Sequence, residues 1–94
     1  QEFDVYALAG DYVFLNSTKS TLKPEYVDRF VEDIASFRML YPEYKDKPLI
    51  GILASLYVDP SVLTYAERQG FIVISVGDEI MEVKNSKGFK AKLW

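Results

Sequence analysis

The chain opens with two short apolar-rich runs and then shifts to a longer hydrophobic period. Phe3–Ala9 and Tyr12–Ser17 have strand length, and the dipeptide Gly10-Asp11 between them suits a two-residue hairpin loop of type II′. Ser20-Thr21-Leu22-Lys23-Pro24 is a turn and helix entry, with Pro24 fit for the first helical position and Glu25 and Asp28 favourable near the positive helix end. Val27, Phe30, Val31, Ile34, Phe37 and Leu40 then follow helical spacing, while Asp28, Arg29, Glu32, Asp33 and Arg38 take the other face. Tyr41-Pro42 ends this helix, and a polar loop, Glu43–Lys47, follows.

Leu49–Tyr57 is nearly all apolar, which predicts a strand buried on both faces; Gly51, Ala54 and Ser55 leave room for a helix to approach. Asp59-Pro60 predicts a second helix with Asp59 as its cap, an inner face of Val62, Leu63 and Ala66, and a stop at Gly70. Phe71–Val76 reads as a buried strand that Gly77-Asp78 turns back into Glu79–Val83. The order is β-β-α-β-α-β-β: an α/β fold with a mixed sheet, two flanking helices and right-handed crossovers.

The hairpin loop fixes a register. With Gly10 and Asp11 as the loop, Ala9 faces Tyr12, Asp4 falls opposite Ser17, and Glu2 opposite Lys19. These four share one face near the open end, continued by the apolar Tyr6, Leu8, Val13 and Leu15. Two acids and a lysine converging beside a core are the makings of a metal and proton site. They would equally serve as cross-strand salt bridges, each worth only ~0.2–1 kcal/mol, which gives stability little reason to bury them. Asn16 and Thr18 point to the opposite face.

Asp4, within Glu2-Phe3-Asp4-Val5, and the return strand Val13-Phe14-Leu15-Asn16-Ser17-Thr18-Lys19-Ser20 resemble the core motif of the PD-(D/E)XK, or restriction-endonuclease-like, nuclease superfamily. The following helix, strand, helix and strand extend the resemblance over most of the chain. It implies a restriction-endonuclease-like core with a catalytic trio of Asp4, Ser17 and Lys19. In the family the Asp and a second acid hold a divalent metal and the Lys assists the attacking water. Asp4 would be the metal ligand here, with Glu2 as a second candidate, and Lys19 the catalytic lysine. Ser17 stands where the second acid is expected, and a neutral hydroxyl cannot replace a carboxylate as a charged ligand of Mg²⁺. The resemblance therefore implies impaired catalysis and weak binding of Mg²⁺ or Mn²⁺. Some members move the missing acid to the next helix, which makes Glu25, Asp28, Glu32 and Asp33 candidates. Their other reading is an ordinary solvated helix face. The family's core has a further helix and strand before this point, so a chain opening with Gln in a strand is expected to be a piece of a longer protein.

Composition narrows the chemistry. The chain has 94 residues, enough for one domain spanning 1–94, and 49% are hydrophobic, so it is globular. It has no Cys and no His, which removes disulfides, thiolate sites, His-based nucleophilic catalysis and the commonest zinc sites. A resident metal would be hard and oxygen-bound. The net charge is −3, so the strongly basic footprint of many nucleic-acid-binding domains is missing, although a local patch can still serve. Lys84, Lys87, Lys90 and Lys92 could form one, or belong to a solvated tail in which Phe89, Leu93 and Trp94 dock on the domain or on a second copy of the chain. The loop Tyr41–Lys47, charged and aromatic, is another candidate edge. The glycines are scattered, which disfavours phosphate-loop and dinucleotide readings. No signal peptide, lipidation motif or membrane-spanning apolar run is visible, so a cytoplasmic protein without membrane contact is expected.

Two functions remain. One is a nuclease-derived domain in nucleic-acid binding or processing. The other is a non-catalytic interaction or assembly domain that keeps only the fold.

Overall fold

The computed structural model describes residues 5–94, with side chains from position 6 onward. Strands β1 (Val5–Ala9) and β2 (Tyr12–Thr21) form the opening hairpin. Helix α1 (Pro24–Leu40), a 3-10 turn at Pro42–Tyr44, β3 (Leu49–Tyr57), α2 (Pro60–Gln69), β4 (Ile72–Val76) and β5 (Met81–Val83) follow. The sheet runs in chain order, β1-β2-β3-β4-β5. Its middle three strands are parallel and the outer two antiparallel to their neighbours. The mixed α/β fold and the order of elements are those the pattern predicts. Among the described residues, no helix is long and apolar enough to cross a membrane.

The hairpin keeps the expected register, with Ala9 opposite Tyr12 and Val5 opposite Asn16. Gly10 has φ 60°, and no described non-glycine residue has a positive φ, as a type II′ loop requires.

The core lies on one side of the sheet. Val13 and Leu15 of β2, Leu49 and Leu53 of β3, and Phe71 and Val73 pack with Val27, Phe30, Ile34 and Phe37 of α1 and Val62 and Ala66 of α2. Gly51 lets the helix layer close down. A Cβ there would come within 2.7 Å of the Phe71 ring and 3.0 Å of the Phe30 ring. These rings meet over the glycine with centroids 4.9 Å apart.

No described element covers the opposite face. Phe14, Ile50, Ile52, Ile72 and Ile74 are only half-buried there, and Val76, Met81 and Val83 are exposed. This corrects the expectation that β3 is buried on both sides. Its odd positions from Leu49 to Ser55 are buried and its even ones are not, because both helices cross over the same face. An unbroken apolar run shows that both faces could be buried, not that a second layer is present.

Two smaller expectations also change. β5 starts at Met81 rather than Glu79, because the Gly77 N–H donates to the Ile80 carbonyl and closes a longer loop. Asp59 precedes α2, but its carboxylate accepts the Tyr57 hydroxyl at 2.7 Å instead of capping the helix. Gly70 ends α2 in the left-handed region, as expected.

The segment after β5 is tied down, not a free solvated tail. Asn85 accepts from the Val73 N–H at 2.8 Å and donates to the Phe71 carbonyl at 3.0 Å, extending the edge of β4 with a side chain. Ser86 gives its N–H and hydroxyl to Glu67. Lys92 N–H donates to Gly70 and Trp94 N–H to Leu49, at 2.9 and 2.8 Å. The Trp94 ring stacks on Phe71 at 5.2 Å with Lys92 over its face, the docking expected of this residue, while Leu93 stays exposed.

Candidate functional site

Ser17 and Lys19 lie two residues apart on β2, on the side that faces the helices. In the parallel register Ser17 sits beside Leu53 and Lys19 beside Ser55. Asn16 and Thr18 fall on the uncovered face, where the Asn16 amide donates to the Thr18 hydroxyl at 2.9 Å. The structure therefore brings Ser17 and Lys19 to the same face, as the alternation predicts. Glu2 and Asp4, the two acids expected to complete the constellation, lie outside the described residues.

Lys19 marks a change of chemistry along the sheet. One step earlier, at Ser17, the neighbouring inward positions are the fully buried Leu53 and Val73. At Lys19 they become Ser55 and, on β4, Ser75, which pairs with Glu82 of β5. Ser55 is 1% exposed, and its hydroxyl has no hydrogen-bond partner. A buried hydroxyl left unmade costs roughly 1–3 kcal/mol. The sequence reading took Ser55 only as a small residue under a helix. Its signal was a hydroxyl at an inward position of an otherwise apolar strand.

The polar row borders a groove. Thr18, Lys19, Ser20 and Thr21 at the end of β2, with Lys23 and Tyr26 at the start of α1, line an open cavity of about 490 Å³. It lies at the carboxyl end of β2, against the start of α1. The Lys19 ammonium rests 4.9 Å from the centre of the Tyr26 ring, a cation–π distance. Lys23 and Tyr26 were not singled out from the sequence, because their relation to Lys19 depends on where α1 crosses the sheet.

The four acids of α1 separate by position. Glu25, Asp28 and Glu32 are exposed. Asp28 accepts a hydrogen bond from the Tyr65 hydroxyl of α2, and this bond to a carboxylate raises the tyrosine pKa above its usual value. Asp59 does the same to Tyr57. Asp33 is half-buried and stands two turns after Tyr26 on the same side of α1. Two turns rise about 10.5 Å, close to three residues of strand, and α1 runs back along β2, so Asp33 comes to about the level of Asn16, between the inward positions Leu15 and Ser17. Among the described residues no three Asp or Glu side chains converge into a metal-binding group.

Lys92 of the tail lies elsewhere. Lys92 and Trp94 meet Gly70 and Leu49, at the amino ends of β4 and β3. Leu49 and Ser55 are six residues apart on β3, about 20 Å, so this end is remote from the groove.

A small two-layer α/β domain with a polar groove at the carboxyl end of β2 is the class that the fold and site define. The chain belongs to a family described as a domain of unknown function, DUF8196, whose pattern matches residues 1–83. No curated protein and no solved structure matches it.

Proposed function

We propose that this chain is a nuclease-derived domain of the restriction-endonuclease-like type, impaired in catalysis and acting in nucleic-acid binding or processing. The observation that carries this reading is the placement of Ser17 and Lys19 on one face of β2, beside a basic and hydroxyl-lined groove. Lys19 is the group that would position or polarise an attacking water. A divalent ion such as Mg²⁺ or Mn²⁺, when bound, would neutralise charge on the phosphodiester. The described residues alone do not make a site for such an ion. Asp4 is its proposed first ligand, and Asp33 is the acid of α1 best placed to stand in for the carboxylate that Ser17 lacks. Losing one stabilising interaction at a developing charge costs on the order of 10²–10³ in rate, and a loosened metal costs more.

A nuclease assay with Mg²⁺ on the chain and on Ser17→Glu tests the reading. No measurable cleavage by the parent is expected, and metal-dependent cleavage by Ser17→Glu that Lys19→Ala removes. Robust cleavage by the parent, lost in Asp33→Asn or Asp4→Ala, would show that the site is intact and that Ser17 is no impairment. Silence from both proteins favours the second reading, a non-catalytic interaction or assembly domain. That reading has its own support in the uncovered sheet face, where Phe14, Ile50, Ile52, Ile72 and Ile74 form an apolar surface without a charged residue among them.

A further inference from the structure

We infer that the groove takes a nucleotide of a single-stranded nucleic acid, its phosphate between Lys19 and Lys23 and its base on Tyr26. This rests on the nucleic-acid reading above and narrows it to one form of ligand. Among the described residues the lining is two lysines, three hydroxyl-bearing residues and one tyrosine, without a carboxylate, in a chain whose net charge is −3. That is an anion site with an aromatic face. The ammonium lies over the ring at 4.9 Å, so a base stacking on that face takes the ammonium's place, and the released Lys19 stays within the span of one nucleotide to meet its phosphate. Base–aromatic stacking beside a positive groove is how single strands are held without sequence readout.

The surroundings argue against a duplex. Double-stranded DNA carries a charge every ~1.7 Å of its axis and must lay two backbones on the protein. The outer face of α1, next to the groove, exposes Glu25, Asp28 and Glu32 against a single Arg29. Lys92, a tail lysine that could meet a second backbone, lies at the other end of the strands, about 20 Å away. A single strand that enters only the groove avoids the acidic helix face. Thr21, on the same face of β2 as Lys19, offers a hydroxyl donor to the same phosphate, as phosphate contacts commonly use.

Fluorescence anisotropy decides this, with labelled oligo(dT) and oligo(U), a duplex of the same length, and a mononucleotide as competitor. The single strands should bind more tightly than the duplex. Two phosphate contacts predict a log–log salt slope of about −1.4, falling to about −0.7 in Lys23→Ala. Tyr26→Leu, which keeps the side chain's packing volume, should weaken binding about tenfold, and Tyr26→Phe should retain it. A duplex bound as well as or better than the single strand overturns the inference and leaves the nucleic-acid reading standing. So does a Tyr26→Leu protein that binds like the parent, or full competition by the mononucleotide at equal concentration. Failure of every oligonucleotide to bind would remove the inference and the nucleic-acid reading together.

Discussion

Gly51→Ala tests how the helix layer sits on the sheet, and with it the frame of the groove. The added methyl would meet Phe71 at 2.7 and 2.8 Å and Phe30 at 3.0 Å, where ordinary carbon contacts lie near 3.5–4.0 Å. Phe71 cannot yield freely, because Phe30 is 4.9 Å from it and Trp94 stacks on it at 5.2 Å. Overpacking of this kind costs about 1–3 kcal/mol. Restricting the unfolded chain at the former glycine returns about 0.4–1 kcal/mol, so a net loss of about 1–2 kcal/mol is expected. In urea the midpoint should fall by about 1 M with the slope unchanged, and in heating the midpoint by roughly 4–15 °C. Phe71→Leu removes the clash, so the double variant should be at least about 1 kcal/mol more stable than additivity predicts. The strain also reaches the site: Phe30 is one turn from Tyr26, so a displaced Phe30 should move the Tyr26 ring away from the Lys19 ammonium. A variant as stable as the parent, or a double variant that is merely additive, would refute the tight seat.

Asn85→Ala should cost about 1–3 kcal/mol by leaving the Val73 N–H and the Phe71 carbonyl unpaired, and amide exchange at Val73 should quicken selectively. The Glu67 carboxylate accepts from the Ser86 N–H and hydroxyl, which hold its pKa below the usual glutamate value. A depressed folded-state pKa stabilises above the unfolded value, and the contribution is lost as pH falls through the folded one. Urea midpoints should therefore drop less on acidification in Glu67→Gln than in the parent. Calorimetric titration with Mn²⁺ should show weak binding to the parent and tighter one-site binding to Ser17→Glu; tight binding to the parent that Asp33→Asn abolishes would instead assign the second ligand to α1.

Local chemistry made much of this protein legible in the sequence. A glycine at positive φ, Gly10, fixed the hairpin loop, and the loop fixed the register by counting. Helical spacing marked the buried face of α1, because Val27, Phe30, Ile34 and Phe37 recur with the turn of the helix. Alternation put Ser17 and Lys19 on one face for the same local reason. Other features depend on where distant segments meet. The apolar run of β3 reads the same whether one sheet face or two are covered, and only the placement of both helices on one side left Ile50 and Ile52 half-exposed. Nothing in Ser55 or Tyr26 taken singly says that one lies beside Lys19 in the sheet and the other beneath its ammonium. The sequence by itself determined the elements, their order and the faces of each, because these follow from backbone geometry over a few residues. The tertiary structure alone decided which elements share an edge, and so where a groove, a buried hydroxyl and an open sheet face came to lie.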